Sequence, residues 1–597
     1  MEVTRTFDLL EKLVKVYPKD DILSRKYNGK WIKYSSESYS RHSHLMAYAF
    51  LAIGLEPNDK VITISNNRPE WNFVDMGLTL ARMVYVPVYS TLSNDDFIHI
   101  FNHSDAKVIF IGSEALAKKI APLIPKIKRE VKLYTFDRVD GFECIEDLYK
   151  LGQESEKEYK EVIEENKKSI SEEELATIIY TSGTTGTPKG VMLSHKNLVF
   201  NFIATAVQQT KDHRHKMLSF LPLCHIYERG MNYDYQYVGI STYYAESLAT
   251  IAADMADCQA DGFCSVPRVL EMMFNKFEAA EKDLKGISKI IYKWAFSIAC
   301  KYDYNKEGFY HKLRYSIADK LVYSKWRQKL GGKEMLIVSG GSSIQPKIIR
   351  LFTAAKMYIF EGYGMTEASP VIAVNNPKER IIKIGTVGKA MEGTEMKIAP
   401  DGEILSRGPH IMMGYYKDPE FTKEVVDEEG WLHTGDIGVM VDEIFLKITD
   451  RKKEIFKLSA GKYVSPQVIE NMLKESNYID NCMVIGENQK FASALIIPNL
   501  SKLHSWAKKN KIEYENNEEL VNNKEVIGKI NREIAVTNKR LSAHEHIKRV
   551  KLIIDDWTPL NDLLSQTLKL KRHNIKAKYK HFINEIYKND LSEASKA

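Results

Sequence analysis

The 597-residue sequence predicts an α/β protein with several domains, and three observations lead to this class. Short β-branched runs such as "DKVITISNN" and "AKVIFIG" alternate with helix-like stretches, which is typical of parallel sheets covered by helices. The chain is also too long for one hydrophobic core, since domains rarely exceed about 250–300 residues. After residue 400 the pattern changes to short alternating segments broken by Gly and Pro, which indicates a smaller β structure.

Composition excludes several classes of protein. Hydrophobic residues make up 44% of the sequence, as in folded proteins, and the net charge of +6 is too small to indicate nucleic-acid binding. The six cysteines include no Cys-x-x-Cys pair, so we expect no zinc or disulfide framework and a cytoplasmic location. The N-terminal "MEVTRTFDLLEKLVK" lacks the apolar segment of a signal peptide, and no run of about 18 apolar residues predicts a membrane span.

In chain order, the first distinctive elements are a buried helix and a hydroxyl-rich loop. "MAYAFLAIGL", from Met46, predicts the helix, and residues 152–174 are charge-rich and predict a surface helix or loop. "IIYTSGTTGTPKGVMLSH", residues 178–195, follows the start of a short buried strand and leads to a helix-like stretch at Lys196. Glycines in such a loop let backbone N–H groups converge on an anion, and Lys189 adds a positive charge. The spacing is not that of a Walker A loop, so phosphate binding and a purely structural loop both remain open.

Residues 287–333 form the next unusual segment. They contain eleven Lys and Arg, three Asp and Glu, and ten aromatic residues, which predicts a basic, aromatic helical insert. Such helices lie on membrane surfaces in some proteins. The alternative is a helical insertion packed on the core with a solvated basic face.

The C-terminal part predicts a separate small domain. "DGEILSRGPHIMMGYYKDPE" indicates a small β-barrel or meander, and "IFLKITDRKKEIFKLSAGKYVSPQVIENML" indicates strand, charged turn, strand and helix. We therefore expect a large domain at 1–450, a hinge at 451–453 and a small domain at 454–597, whose basic tail from Lys576 forms a surface helix.

Five stretches together carry a family resemblance: the loop at 178–195, "GYGMTE" at 362–367, "GWLHTGDIG" at 430–438, "TDRKKEIFKLSAGKYVSPQVIE" at 449–470 and "SQTLKLKRHNIKAKY" at 565–579. Their order and spacing resemble the adenylate-forming, AMP-binding superfamily over essentially the whole chain. "LPLCHIYERG" at 221–230 favours its long-chain acyl-CoA synthetases.

The resemblance implies a fold and a reaction. The fold is a large N-terminal domain of mixed and parallel sheets with helices, a small β-barrel-like subdomain, and a small mobile α+β C-terminal domain. A fatty acid and ATP give acyl-AMP with release of pyrophosphate, and the acyl group then passes to the thiol of coenzyme A. Mg²⁺ is the implied cofactor, and the protein supplies positive charge where the two anions meet.

The same resemblance assigns the nucleotide site. For the β- and γ-phosphates it implies Thr181, Ser182, Gly183, Thr184, Thr185, Gly186 and Lys189. Tyr363 lies on the adenine face, Thr366 contacts the α-phosphate, and Glu367, with Thr184, holds Mg²⁺. Backbone of Gly340 and Gly341 approaches the adenylate, and the rest of the set is Ser342, Glu361, Gly362 and Gly364. A plain turn is the alternative for the two glycines, and a surface carboxylate for Glu367.

Asp436 and Arg451 are implied ribose ligands, with an Asx turn as the alternative for Asp436. Lys569 is the implied catalytic lysine that bridges the carboxylate and the α-phosphate, although Lys571 would share its face on a strand. A solvated lysine is the alternative for Lys569. His225 would gate entry of the acyl carboxylate, or be a structural histidine.

Lys453 matches the hinge, and the loop with Ser459, Gly461 and Lys462 would line the coenzyme A tunnel after rotation of the small domain. Two departures from the family pattern occur in this part. Ser565-Gln566 replaces Thr-Pro, which predicts a less rigid loop. Ala460-Gly461-Lys462 replaces Gly-Gly-Glu, so Lys462 either favours the coenzyme A phosphates or is solvated.

Two other functions are alternatives to the ligase. A fatty acyl-AMP ligase that serves a carrier protein typically has an insertion that blocks rotation of the small domain, and none occurs near 450–470. A non-catalytic scaffold on a membrane would not need the charged positions of the ATP site, all of which are present. Chain-length preference depends on a tunnel that one sequence does not reveal. Contact with the inner face of a membrane and a homodimer are left open.

Overall fold

The computed structural model describes residues 1–182, 187–304, 308–559, 561–565 and 569–594, and the chain forms two compact units. The first unit contains Met1–Met396 and Leu405–His433, and the second contains Lys397–Ile404 and Thr434–Ala597. The chain thus passes between the units three times, each time before the boundary expected at residue 450. The predicted domain limits and the hinge at Lys453 stay predictions.

The strands of the described residues belong to five sheets. They are β1 (Leu23–Tyr27), β2 (Lys30–Tyr34), β3 (Lys60–Ile64), β4 (Val84–Val88), β5 (Ala106–Ile111), β6 (Lys132–Thr135), β7 (Glu143–Cys144), β8 (Leu175–Ser182), β9 (Pro188–Ser194), β10 (Lys216–Ser219), β11 (Ser241–Tyr244), β12 (Gly262–Ser265), β13 (Met335–Ser339), β14 (Met357–Gly364), β15 (Val371–Val374), β16 (Lys389–Ala390), β17 (Glu395–Ile398), β18 (Glu403–Arg407), β19 (Gly414–Tyr415), β20 (Leu432–Val441), β21 (Phe445–Arg451), β22 (Phe456–Lys457), β23 (Tyr463–Val464), β24 (Ile479–Ile485), β25 (Ala492–Pro498) and β26 (Ile547–Leu552).

Most of the α-helices of the described residues lie between these strands in the sequence. They are α1 (Asp8–Val16), α2 (Ser36–Ala52), α3 (Pro69–Leu80), α4 (Asn94–His103), α5 (Glu114–Ile120), α6 (Ile145–Ser169), α7 (His195–Val207), α8 (Ile226–Val238), α9 (Ile251–Cys258), α10 (Pro267–Ala279), α11 (Gly286–Ala299), α12 (Phe309–Ala318), α13 (Ser324–Gln328), α14 (Pro346–Ala354), α15 (Pro419–Val425), α16 (Pro466–Leu473), α17 (Leu500–Lys509), α18 (Asn517–Asn522), α19 (Lys524–Asn538), α20 (Arg572–Lys578) and α21 (Lys580–Ala594).

An eight-stranded sheet, in the order β19-β9-β8-β4-β3-β5-β6-β7, forms one half of the first unit. Its central strands are parallel and apolar on both faces, because helices cover both sides. Successive residues of β8 show this: Ile178 and Tyr180 pack in one buried cluster and Ile179 packs in the other. The first seven residues of the run from Met46 lie in α2, and Met46 to Phe50 are buried there, as predicted.

A nine-stranded sheet, in the order β16-β15-β14-β13-β12-β10-β11-β1-β2, forms the other half. Strands β1 and β10 to β14 pair in parallel, and the pairs at both edges are antiparallel. Since Ser339 on β13 pairs with Glu361 on β14, the residues that follow these strands emerge at the same edge of the sheet. The α/β class with mixed sheets is therefore confirmed.

The hydroxyl-rich segment differs from expectation. The sequence predicted one loop between the strand at Ala176 and the helix at Lys196, and this was wrong. A second strand, β9, intervenes and pairs antiparallel with β8, so that Thr181 lies opposite Lys189. Val191 and Leu193 are buried and hold this strand on the sheet, whereas Met192 between them is half-buried. Lys189 is therefore on a strand, and the predicted site residues Gly183, Thr184, Thr185 and Gly186 lie outside the described residues.

The stretch after residue 400 contributes to two different sheets. Strands β17, β18, β20 and β21 form a four-stranded sheet in that order. Strand β19 pairs instead with β9, at the edge of the eight-stranded sheet, with Tyr415 opposite Val191. This long-range pairing brings the sequence "GYYKDPEF" to the hydroxyl-rich hairpin.

The remainder of the second unit is built around the three-stranded sheet β24-β25-β26 and the hairpin β22-β23. Helices α16, α17 and α19 cover the sheet through buried aliphatic residues such as Ile469, Leu503 and Ile530. In the ranges that the structure describes, no helix has the length and apolar composition of a membrane span.

A buried histidine at the start of α7 predicts pH-dependent stability. His195 Nδ1 lies 3.3 Å from the backbone N–H of Thr6, and burial lowers the pKa of His195 from 6.5 to about 4. The unfolded chain binds the proton more tightly, so this contribution is present above pH 6.5 and is lost as the pH falls toward 4. We expect His195→Asn, which keeps an acceptor near the position of Nδ1, to reduce the loss of unfolding free energy over this range by about 3 kcal/mol.

Urea titrations of both proteins at several pH values measure this difference. His410 is also buried with its pKa lowered to about 4, so its effect has the same sign and cancels in the comparison. A variant whose stability fell with pH as steeply as that of the unmodified protein would contradict the assignment to His195.

Candidate active site

The end of β14 and the short 3₁₀ helix after it, Thr366–Ala368, position the central group of predicted residues. Tyr363 and Thr366 are buried, and Glu367 is half-buried. A Cβ at Gly364 would lie 1.8 Å from the carbonyl oxygen of Pro370, so only glycine fits this close approach. Gly362 lies on the same strand, which therefore brings the whole "GYGMTE" motif to one edge of the nine-stranded sheet.

Glu361, one residue before this motif, is buried, and burial raises its pKa to about 8. It pairs with the end of β13, after which Gly340, Gly341 and Ser342 follow. Gly340 packs against Tyr227: a Cβ there would lie 3.2 Å from the tyrosine ring. The structure thus places these predicted residues beside one another on neighbouring strands.

Lys189 is held by two partners from the segment after β19. Its Nζ lies 3.0 Å from Asp418 Oδ2 and 3.1 Å from the ring centroid of Phe421. Asp418 also caps α15 by accepting the N–H of Phe421, so the carboxylate has a fixed position. The pair with Lys189 lowers the pKa of Asp418, which keeps a negative charge beside the ammonium group.

Glu367 is held by a residue of β19 and by one just before that strand. Its Oε1 accepts a hydrogen bond of 2.8 Å from the hydroxyl of Tyr415, and its backbone carbonyl accepts one of 2.9 Å from Met412. The Tyr415 ring also lies 5.7 Å from Lys189 Nζ. One cluster therefore contains the cation predicted for the triphosphate and the carboxylate predicted for the metal.

Tyr415, Asp418 and Phe421 were not predicted as site residues. Tyr415 and Asp418 were predicted only as part of a small β-barrel or meander, and no local pattern in "GYYKDPEF" indicates a contact with Lys189 or Glu367. The available signal was a tyrosine and an aspartate next to turn residues, which is common on any surface.

His225 is the N-cap of α8, where its Nδ1 accepts the backbone N–H of Tyr227 at 3.1 Å. Its ring is half-buried and lies 6.5 Å from that of Tyr89. The residue therefore has a structural contact, which was one of its two predicted roles. Its role in gating the acyl group stays a prediction.

A buried charge network fixes α8. The guanidinium of Arg229, which is fully buried, donates to Asp75 Oδ1 at 2.6 Å, to Thr177 Oγ1 at 2.7 Å and to Tyr233 Oη at 2.9 Å. Burial raises the pKa of Asp75, although Arg229 stabilises its charged form. Since Thr177 is on β8, the network ties the helix that begins beside His225 to the strand that ends at Ser182.

In the second unit, Asp436 and Arg451 are direct partners. They lie opposite each other on β20 and β21, and Arg451 Nε is 3.1 Å from Asp436 Oδ1. Asp436 is 6% exposed and follows Gly435, whose φ of +71° within β20 is a left-handed conformation that suits glycine. The two residues predicted to contact a ribose are thus brought together on adjacent strands.

The predicted coenzyme A loop forms the turn of the hairpin β22-β23. Ser459, Gly461 and Lys462 are exposed, and Gly461 has a φ of +82° that suits glycine. The N–H of Leu458 donates to the carbonyl of Lys462 at 2.8 Å, which closes the turn. Lys453 is exposed in the turn between β21 and β22.

Lys569 is half-buried beside a short bridge between Leu564 and Leu570. Its backbone N–H donates to Ser565 Oγ at 3.0 Å, and its carbonyl accepts the N–H of Ser565 at 2.7 Å. The residues between them, including Gln566, lie outside the described ranges. Lys571 Nζ contacts the carboxylate of Asp562, so this neighbouring lysine has an ion-pair partner of its own.

The donor set suits magnesium only together with a substrate. Within the described ranges, no group of three or more His, Cys, Asp or Glu residues could hold a metal. Glu367 offers one carboxylate, and Mg²⁺ in phosphate sites is commonly bound by one or two carboxylates with phosphate oxygens and water. Thr184, the other predicted ligand, lies outside the described residues.

Comparisons with known proteins agree with this arrangement. Residues 10–416 match the family model "AMP-binding enzyme", and residues 453–591 match "AMP-binding enzyme C-terminal domain". The peroxisomal long chain acyl-CoA synthetase 7 of Arabidopsis thaliana is 32% identical over 93% of this chain and 81% of its own. Long-chain-fatty-acid–CoA ligase 1 of Homo sapiens is 31% identical over 94% of this chain and 82% of its own.

Among solved structures, the adenylation domain of a carboxylate reductase from Mycobacterium chelonae has the same fold. It superposes with a TM-score of 0.74 at 20% identity and covers 98% of this chain and 91% of its own. The matched family models cover most of the chain, and the predicted nucleotide residues of each unit lie close to one another. The chain therefore belongs to the AMP-binding enzyme family and, within it, is similar to the long-chain acyl-CoA synthetases.

Proposed function

We propose that this protein is an ATP-dependent long-chain fatty acid–CoA ligase, which forms acyl-AMP and pyrophosphate and then transfers the acyl group to coenzyme A. The observation that carries the proposal is the cluster in which Tyr415 contacts both Lys189 and Glu367, while Asp418 and Phe421 hold Lys189. It supplies a fixed ammonium group and a fixed carboxylate, as a bound magnesium–triphosphate requires.

In the first half-reaction, a fatty acid carboxylate attacks the α-phosphorus of ATP, and pyrophosphate leaves. The departing phosphates compete with Asp418 for the ammonium group of Lys189, which then binds them. Thr366 orients the α-phosphate, and Asp436 with Arg451 binds the ribose. Magnesium, when bound by Glu367 and Thr184, would screen the charge of the phosphates. Lys569 offsets the charge on both the carboxylate and the α-phosphate.

In the second half-reaction, the thiol of coenzyme A attacks the acyl carbon and AMP leaves. The turn with Ser459, Gly461 and Lys462 lines the path of the thiol after a rotation at Lys453. Support comes from the short connection between β21 and β22, in which the described residues contain no inserted element that would block rotation. A domain division at 1–450 and 454–597, a cytoplasmic location, a homodimer and contact with an anionic membrane surface are further parts of this proposal.

Product analysis tests the proposed function. The purified protein is incubated with Mg-ATP and fatty acids from about C6 to C20, with and without coenzyme A, and products are identified by mass spectrometry. We expect acyl-CoA only when coenzyme A is present, with the longer chains preferred. Acyl-AMP that persists despite coenzyme A would favour a ligase that serves a carrier protein, and absence of AMP would favour a non-catalytic scaffold.

The hydrogen bond between Tyr415 and Glu367 gives a prediction about magnesium. In Tyr415→Phe the carboxylate loses its donor and the orientation that this bond gives it. We expect the Mg²⁺ concentration for half-maximal ATP binding to rise about tenfold, the effect of losing one hydrogen bond to a charged group. Calorimetric titration of ATP at increasing Mg²⁺, without fatty acid, measures binding independently of turnover.

Tyr416→Phe is the matched control. The hydroxyl of Tyr416 donates to Asp105 at 3.0 Å, away from Glu367, so its loss should leave the Mg²⁺ dependence of ATP binding unchanged. Equal Mg²⁺ dependence in Tyr415→Phe and the unmodified protein would show that Tyr415 does not orient Glu367.

A further inference from the structure

The outer face of α12 and of the π-helical turn that follows it, Asp319–Tyr323, exposes a continuous row of apolar side chains. Phe309 is 85% exposed, Leu313 46%, Ile317 44% and Leu321 41%, and these four residues follow one another at intervals of four. Tyr310, 69% exposed, adjoins the first of them. We name these five residues the outer stripe. Over this helical length, about 18 Å, side chains at such intervals lie on one broad face.

The opposite face of the same segment is anchored in the core, which fixes the orientation of the stripe. Ala318, Val322 and Trp326 are buried. The hydroxyls of Tyr315 and Tyr323 donate to the carbonyls of Ile298 and Ala295 on α11, at 3.0 and 2.8 Å. The segment is therefore apolar on two sides, and only one of them is needed for packing.

Basic residues accompany the outer stripe. The described residues in 285–325 include eight Lys and Arg and two acidic residues. The basic residues are Lys285, Lys289, Lys293, Lys301, Lys312, Arg314, Lys320 and Lys325, and the acidic ones are Asp303 and Asp319. Asp319 is paired with Arg327, and Glu281, just before this range, lies within 3.6 Å of Lys289 and Lys293. The guanidinium of Arg314 lies 5.7 Å from the ring of Tyr310. The net charge around the stripe is therefore positive.

We propose that the outer stripe docks this protein on an anionic lipid bilayer, with its apolar side chains at the boundary of headgroups and acyl chains. An exposed aromatic and aliphatic row flanked by lysine and arginine is the pattern of an interfacial helix. A second copy of the chain fits less well, because two such faces would bring like charges together. This proposal deepens the membrane contact included in the proposed function, because it names the surface that makes the contact. It rests on the ligase reaction for its purpose, since long-chain fatty acids partition into bilayers and the stripe would place the ligase at their source.

Vesicle sedimentation tests the docking directly. The probes are phosphatidylcholine vesicles with and without phosphatidylserine, at low and at high salt. We expect the full chain to bind the anionic vesicles, less so at high salt, and Leu313→Ser/Ile317→Ser to lower the partition coefficient about tenfold or more. Lys312→Glu/Lys320→Glu should lower it similarly. Leu248→Ser, at a leucine that is 72% exposed elsewhere in the first unit, is the matched control and should bind as the unmodified protein does.

A fluorescence measurement keeps the test independent of how the serine variant folds. Tryptophan emission from Leu313→Trp should shift to shorter wavelength on anionic vesicles, and that from Leu248→Trp should not. Absence of binding by the unmodified protein, equal binding by the stripe variants, or equal shifts in both tryptophan variants would overturn the proposal. A dimer that dissociates in the serine variant, without vesicle binding, would instead assign the stripe to a subunit interface.

Activity toward dissolved octanoate separates this proposal from the proposed function. The stripe variants should keep that activity while they lose vesicle binding. A protein that binds vesicles through the stripe but forms no acyl-CoA would contradict the ligase and leave the docking surface supported.

Discussion

Replacement of Lys569 by Ala is expected to reduce the rate of acyl-AMP formation by about 10²–10³-fold or more, the effect of losing a positioned charge at a reacting centre. The carboxylate and the α-phosphate repel each other, and the lysine offsets both charges. Transfer of a supplied acyl-AMP to coenzyme A should continue at a nearly normal rate, because the adenylate is already formed. Pyrophosphate release and acyl-CoA formation from synthetic acyl-AMP measure the two half-reactions separately.

Lys571→Ala is the control for this prediction. Lys571 is two residues away in the same basic stretch, and its ammonium group contacts Asp562. We expect it to retain adenylation. Equal loss of both half-reactions in Lys569→Ala, or loss of adenylation in Lys571→Ala instead, would show that the wrong lysine has been assigned.

Arg229→Ala is expected to reduce the free energy of unfolding by about 3–5 kcal/mol, since it leaves the carboxylate of Asp75 buried without its partner. Proteins of this kind have only about 5–15 kcal/mol in total, so this change alone threatens the folded state. The transition measured by urea denaturation, followed by circular dichroism, should move to a clearly lower midpoint.

The double replacement Asp75→Leu/Arg229→Met tests the cause. Both side chains are then apolar, no unpaired charge is left, and we expect much of the lost stability to return. Arg41→Ala removes a mostly exposed partner of Glu156 and should leave the midpoint nearly unchanged. A double variant as unstable as Arg229→Ala would mean that the effect comes from lost packing of the long side chain and not from the buried charge.

The sequence predicts those parts of the site in which residue type and order are themselves unusual. In both "GYGMTE" and "GWLHTGD", an acidic residue follows a glycine within a few positions of the sequence. The structure brings Glu367 to the end of β14 and Asp436 beside Arg451. Alternating apolar and helical segments likewise predict an α/β fold, because parallel strands need helical crossovers.

Contacts between distant segments were beyond sequence reasoning. The position of Tyr415 depends on the pairing of β19 with β9, more than 200 residues earlier in the chain, and nothing local to "GYYKDPEF" indicates that register. Strand β9 was missed for a related reason. Its Gly, Pro and Lys residues are typical of turns, and only its burial against the sheet makes it a strand.

The three passages of the chain between its two units bear on how the protein can be divided for experiments. Because Lys397–Ile404 belongs with Thr434–Ala597, a fragment that starts at residue 454 lacks pieces that the second unit includes. A fragment that ends at residue 450 carries those pieces without the rest of that unit. A single cut therefore yields two incomplete parts, and separate expression of the units needs a deletion with a linker, or a fused segment, in place of a simple truncation.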